Sequence, residues 1–211
     1  MRNYLTEMIG TFFLVLTIGL TVLGGTPLAP LAIGAALMVM VYMGGHISGA
    51  HYNPAVTLAV YLRGKIGGKE ALTYWVWQIA GAMLASLIVY GVLGKTFAPM
   101  PAPETSALRA LLVEFLFTFA LALVVLNVAT AVKTEGNSFY GLAIGFTVTA
   151  GAFAGGPISG GAFNPAVGTG PNVINALFGG GSWGTIWIYY VGPLIGGALA
   201  AVVFGIQEGT A

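Results

Sequence analysis

Apolar residues run along this chain in six long stretches, at about 4–23, 28–45, 71–93, 108–131, 139–156 and 184–206, and polar residues gather between them. At 1.5 Å per helical residue, a stretch of some 20 residues matches the ~30 Å hydrocarbon core of a bilayer, so each stretch predicts a transmembrane helix. The most polar links are "RGKIGGKE" at 63–70 and "VKTEGN" at 132–137. A third link, "GKTFAPMPAPETS" at 94–106, carries three prolines and reads as a loop. The stretch from Tyr4 to Leu23 is long enough to span and is followed by more spans, which argues against a cleaved signal peptide.

Composition supports the same division. Of the 211 residues, 57% are hydrophobic and 6% charged, whereas a soluble domain carries about 25% charge. Such a chain cannot cover its surface against water, and its solvent is expected to be lipid. The net charge of +1 offers no footprint for nucleic acid. With no cysteine there is no disulfide framework and no thiolate nucleophile. The 33 glycines are dispersed, as in membrane helices whose backbones approach closely. Lys and Arg set the orientation. An N-terminus in the cytoplasm collects Arg2, Arg63, Lys65, Lys69 and Lys133 inside and leaves Lys95 and Arg109 outside. Five against two predicts both termini cytoplasmic after six crossings, in a multi-pass protein of the cell membrane.

One phrase is written twice. "HISGAHYNPAV" at 46–56 and "PISGGAFNPAV" at 157–167 agree at seven of eleven positions. The tetrapeptide "LAIG" recurs at 31–34 and 142–145 with the same offset of 111, and "EMIGTFFLVL" from Glu7 resembles "EFLFTFALAL" from Glu114. Two spans precede the first phrase and five the second, so an odd number of crossings inverts one half relative to the other. Inverted repeats place the functional site of transporters and channels at the repeat interface. The reading is a single membrane domain over 1–211, with a first repeat at 1–106 and an inverted second repeat at 107–211.

Each phrase opens a short apolar segment, 54–62 and 165–177. The first covers roughly 13 Å as a helix, near half of the core. Asn53 and Asn164 suit the N-cap, and Pro54 and Pro165 the first helical position, where a missing N–H costs nothing. Both segments read as re-entrant half-helices that start in mid-membrane and run back to their own face. Their N-termini then meet, each carrying about half a positive charge that repels cations and protons. The small residues before each asparagine let the chain descend in extended form, tolerated at that depth only in a water-filled path or inside protein.

Taken together, the paired "NPA" boxes, the "SGxxxNPAV" context, Glu7–Thr11 and Glu114–Thr118 as Glu-x-x-x-Thr, and "YVGPLIGG" at 190–197 resemble the aquaporin and glycerol-facilitator family over essentially the whole chain. The resemblance implies an all-α membrane protein of six transmembrane helices plus two re-entrant half-helices, and a homotetramer with one pore per subunit. It implies a passive channel for water and small neutral solutes, with no enzymatic activity and no cofactor. It makes Asn53 and Asn164 the central donors, within boxes completed by Pro54, Ala55, Pro165 and Ala166. It assigns an acceptor ladder to the carbonyls of Gly49, Ala50, His51, Gly160, Gly161 and Ala162. The apolar pore wall falls to Leu14, Leu37, Leu121 and Val148, and support of the loop N–H groups to Glu7 and Glu114. His46 and His51, with no cysteine or carboxylate beside them, make too weak a ligand set for a metal.

The outer filter departs from the family pattern. Where an arginine usually follows the second box stands Val167, and the other three filter positions are Ile33, Ala152 and Gly161. A wide, apolar outer filter without fixed charge is expected, pointing toward glycerol, urea or ammonia alongside water. Gly168 stands where glycerol facilitators have aspartate, while Tyr189 and Tyr190 match the aromatic positions of water channels. A coupled secondary transporter would need titratable groups at the midplane, and only the two carboxylates near span ends offer any. A non-conducting scaffold is the remaining class, separable from a pore by osmotic swelling of proteoliposomes.

Overall fold

The computed structural model describes residues 1–181 and 183–209. Six helices are long and apolar enough to cross a membrane: α1 (Arg2–Leu23), α2 (Ala29–Ser48), α4 (Gly68–Leu93), α5 (Ala107–Thr130), α6 (Tyr140–Ser159) and α8 (Ile188–Glu208). Between them lie two shorter helices, α3 (Pro54–Leu62) and α7 (Pro165–Phe178), and a single 3-10 turn at Val132–Thr134. The protein is an all-helical membrane protein. The first span begins two residues before the expected start and α8 four residues after its own, because residues 183–187 form turns ahead of the helix. The second and fifth spans also shift: α2 and α6 each continue three residues past the expected end, to Ser48 and Ser159.

Both of those helices end the same way. Gly49 (φ 87°) and Gly160 (φ 89°) take left-handed caps that side chains resist, and the chain turns at once into the bilayer interior. After each cap the two loops repeat one backbone path. Ala50 and Gly161 have positive φ, and so do Tyr52 (φ 51°) and Phe163 (φ 48°), conformations that cost a non-glycine residue on the order of 1 kcal/mol or more.

The halves pack as copies of each other. Helix α1 lies along α4 as α5 lies along α8, and α2 crosses α6 where the halves join. That crossing is the reason for the repeated "LAIG". A Cβ on Gly34 would sit 2.5 Å from the Gly145 carbonyl oxygen, and a Cβ on Gly145 2.5 Å from the Gly34 oxygen. Neither backbone leaves room for the other to carry a side chain. Further close approaches tie the half-helices in: a Cβ at Gly170 would meet Ala82, and one at Gly197 would meet Ala55.

Gly34→Leu is expected to destabilise the fold by overpacking, by about 1–3 kcal/mol or more. A lower melting temperature in detergent, with Leu31→Ala on the exposed face of the same helix as control, checks it; an unchanged midpoint for Gly34→Leu refutes the crossing.

Candidate functional site

Extended chain inside a bilayer must satisfy its own polar groups, and here the N–H groups of residues 49–52 can each be followed to a partner. The Gly49 N–H donates to the Gly45 carbonyl and the Ala50 N–H to Ser48 Oγ at 3.1 Å. The next two reach a carboxylate: His51 N–H donates to Glu7 Oε1 at 3.0 Å and Tyr52 N–H to Glu7 Oε2 at 2.7 Å. Ser48 Oγ also donates to Glu7, at 2.6 Å. The second loop repeats the list of contacts. Ala162 N–H (3.0 Å) and Phe163 N–H (2.6 Å) donate to the two oxygens of Glu114, Ser159 Oγ donates to it at 2.7 Å, and Gly161 N–H donates to Ser159 Oγ. Glu7 and Glu114 are completely buried. A snorkelling acid at a helix end would instead be exposed.

The carbonyls divide differently. Ser48 O accepts from the Tyr74 hydroxyl at 2.8 Å, and Ser159 O from the Tyr189 hydroxyl at 2.7 Å. The carbonyls of Gly49, Ala50, His51, Gly160, Gly161 and Ala162 have no partner among the described residues. Six acceptors are thus left over, three on each side of the midplane.

At the midplane the asparagines hold the halves together. The Asn53 side-chain oxygen accepts from Ala55 N–H at 2.8 Å and that of Asn164 from Ala166 N–H at 2.9 Å, which caps both half-helices. Asn53 Nδ2 donates to the Phe163 carbonyl at 2.8 Å, and Asn164 Nδ2 to the Tyr52 carbonyl at 2.9 Å. An amide nitrogen carries two hydrogens, so each asparagine keeps one after bracing the opposite loop.

Both asparagines open onto a narrow cavity of about 30 Å³, the scale of a single water. Its lining is made of repeat-related pairs: Leu14 with Leu121, Ile18 with Val125, Ile33 with Ile144, Leu37 with Val148, and Val56 with Val167. The loops add Ala50 to Asn53 and Gly161 to Asn164. No ionised carboxylate, lysine or arginine is in that lining. The expected wall residues Leu14, Leu37, Leu121 and Val148 are all present, as are the filter residues Ile33, Gly161 and Val167.

Three expected residues lie elsewhere. Ala152 is not in the lining, because the cavity closes at the level of Ile33 and Val167; its partner in the repeat, Val41, lines a separate, wider basin. Gly49 also faces that basin. A Cβ on Gly160 would come 2.6 Å from Met100 N in the α4–α5 link, while its carbonyl, like that of Gly49, is one of the unpartnered acceptors above.

Other residues escaped sequence reasoning. Gln78 of α4 donates to Glu7 Oε2 at 2.8 Å and to Thr57 Oγ1 at 3.0 Å, and the Thr57 hydroxyl contacts His51 Nδ1 at 3.1 Å. A buried glutamine within an apolar span was the available signal. Ile18 and Val125 were legible too, since they share the 107-residue offset of Glu7 and Glu114.

A family model described as Major intrinsic protein matches residues 1–204. Similar proteins include Aquaporin NIP1-4 of Oryza sativa subsp. japonica, 35% identical over 98% of this chain and 77% of the relative. Aquaporin TIP1-2 of Musa acuminata is 39% identical over 88% of this chain and 73% of the relative. In fold, the chain is like the aquaglyceroporin from Plasmodium falciparum, with a TM-score of 0.83 at 22% identity, covering 96% of this chain and 94% of that one.

Replacing Glu7 or Glu114 by alanine removes the acceptor from two buried backbone N–H groups and a serine. At about 1–3 kcal/mol for each stranded donor, the loss is expected to exceed 2 kcal/mol in either variant. Urea or thermal unfolding in detergent measures it, and a loss under ~0.5 kcal/mol contradicts the loop geometry.

Proposed function

We propose, from the premise that this chain belongs to the major intrinsic protein family of passive membrane channels, that it conducts water together with small neutral solutes and excludes protons and ions. Members of that family are channels and not enzymes; what belongs to this reading is the solute range, the residues that set it, and the assembly. The observation that carries it is the polarity of the narrow path: two free amide N–H donors at the centre, unpaired carbonyls on either side, and aliphatic side chains elsewhere.

Asn53 and Asn164 act as the central donors, with the boxes completed by Pro54, Ala55, Pro165 and Ala166 holding the half-helix ends in place. A water that accepts from both amides has both lone pairs engaged, so its hydrogens point away along the path. A chain of waters therefore reverses direction at the centre, and the two half-helix N-termini add positive potential there. Cations meet that potential without a compensating carboxylate. The carbonyls of Ala50, His51, Gly161 and Ala162 offer acceptors on either side of it, and the aliphatic wall keeps solutes moving because it binds none of them.

Val167 is the basis for solutes beyond water. An arginine there would project five fixed donors and a permanent charge into the path. Aliphatic groups at Ile18, Ile33 and Val167 demand nothing of a solute except size, and they yield by rotamer changes. Glycerol, urea or ammonia passing alongside water fits this filter, with a facilitator for those solutes, water being secondary, as the second reading. The termini lie in the cytoplasm by the distribution of Lys and Arg, in the cell membrane, and residues 1–211 act as one channel domain. Copies assemble as a homotetramer with a pore in each subunit.

Stopped-flow permeability of reconstituted liposomes tests the pore. Wild type is expected to pass water and at least one of glycerol, urea and ammonia without proton leak. Val167→Arg is expected to narrow that range while sparing water, and Asn53→Ala or Asn164→Ala to impair folding, conduction or cation exclusion. Wild-type liposomes that pass water and exclude all three solutes overturn the filter assignment. For assembly, native mass spectrometry from mild detergent is expected to give four subunits; a stable monomer there and in lipid counts against the tetramer.

A further inference from the structure

We propose that the outer filter accepts hydrogen bonds and does not donate them, and that Pro171 of α7 contributes to this by freeing the carbonyl of Val167. The inference rests on the channel reading above and names the class of solute the filter prefers: small neutral molecules rich in N–H or O–H donors.

Within an α-helix each carbonyl accepts from the N–H four residues on. Pro171 stands inside α7, four residues after Val167, and a proline has no N–H to give. The Val167 oxygen therefore loses its helical donor, and the proline ring crowds it away from the helix axis. Side chains do not make up the loss. Thr169 Oγ1 donates to the Pro165 carbonyl at 2.6 Å and Asn172 Nδ2 to the Gly168 carbonyl at 2.7 Å. No side chain donates to the Val167 carbonyl among the described residues. The other half shows what has changed. At the repeat offset of 111, Pro171 corresponds to Val60, whose N–H continues α3 and serves the carbonyl of Val56.

Two glycines fix which way the freed oxygen faces. A Cβ on Gly168 would come 2.5 Å from Tyr189 Cβ of α8, and one on Gly170 would come 2.5 Å from the Ala82 backbone of α4. Those neighbours take two sides of α7. At about 100° per residue, Val167 and Pro171 fall on the arc between them, and the Val167 side chain lines the narrow path. Helix carbonyls point toward the C-terminus. Because α7 runs from the midplane to the outer face, the Val167 oxygen opens toward the outer mouth.

There it joins the unpartnered carbonyls of Gly160, Gly161 and Ala162. Outward of the asparagines the side chains of the lining are Ile18, Ile33 and Val167, which have nothing to donate. Those side chains ask only for size, so the polar preference of the filter is the backbone's. A solute sheds water to enter; the hydrogens it brings are met there, and an acceptor it brings is not. Urea carries N–H groups on both sides of its carbonyl. Acetamide, nearly the same size, has a methyl in place of one of its amino groups. The filter reads that exchange as lost hydrogen bonds.

Pro171→Ala and Pro171→Val both return an N–H to the Val167 carbonyl, the second with the residue of the other half. Either is better in a helix than proline, so folding is retained. The measurement is the permeability of reconstituted liposomes to urea and to acetamide, with the flux of protein-free liposomes subtracted. Wild type is expected to favour urea, and both variants to lower the ratio of urea to acetamide by about two- to tenfold, the worth of one hydrogen bond. A ratio is the readout because the yield of folded protein scales both fluxes together. An unchanged ratio in both variants overturns the inference. So does a fall in Pro171→Ala without one in Pro171→Val, which traces the effect to the lost ring and not to the N–H. If wild type passes water but shows no preference for urea, or passes neither amide, this inference fails and the channel reading stands. If it passes no water at all, the channel reading fails and this one with it.

Discussion

Two hydrogen bonds across the midplane hold this molecule in its working form: Asn53 to the Phe163 carbonyl and Asn164 to the Tyr52 carbonyl. They are reciprocal, so each half supplies both a donor and an acceptor to the other. They are also buried among aliphatic groups, where an unmade hydrogen bond is far more costly than in water. Everything else around the centre follows from keeping those four atoms in register. The positive φ of Tyr52 and Phe163 turns the two accepting carbonyls toward the opposite half, and the carboxylates of Glu7 and Glu114 hold the N–H groups of the same residues from behind.

Much of this was legible in the amino-acid sequence, and the reason is that lipid is a severe solvent. Runs of some 20 apolar residues have one stable form there, so the spans could be marked from hydropathy alone. Asn-Pro before a short apolar segment has a stereochemical meaning that needs no partner to be known, and α3 (Pro54–Leu62) matches the expected bounds while α7 extends one residue past them. The ends of α2 and α6 lie three residues past the apolar runs because "GGHIS" and "GGPIS" lower hydropathy without breaking the helix. What tertiary contact alone decides was not legible. That Tyr74 and Tyr189 hold matching serine carbonyls depends on the rotation of α4 and α8, which no local pattern records. The departure of Ala152 from the cavity lining is one of depth: it lies one turn beyond Val148 on the same face of α6, past the end of the lining.

Repetition also explains the unusual economy of the lining. A path built from pairs at offsets of 107 and 111 residues has no freedom to be polar at one end and apolar at the other unless a pair is broken. In this chain the aliphatic pairs are intact, from Leu14 and Leu121 at the middle to Val56 and Val167 further out. The broken pair, His51 with Ala162, is accompanied by its own supports in Thr57 and Gln78, and Gln78 occupies the place in α4 that Pro193 takes in α8. Polarity at one end of the path therefore comes with a set of buried partners and not as a lone substitution.

The opposed half-helices carry an electrical consequence of a different kind. Each of α3 and α7 is a small battery with its positive pole at the centre of the bilayer and its negative pole toward a face. A transmembrane voltage acts on a charge in proportion to how far it moves along the field, about 2.3 kcal/mol per elementary charge over 100 mV. Two batteries set head to head present a quadrupole, so a field that favours one disfavours the other. The moments largely cancel, and Glu7 and Glu114 sit at mirrored depths so that their contributions cancel as well. A voltage across the membrane therefore finds little lever on the paired half-helices.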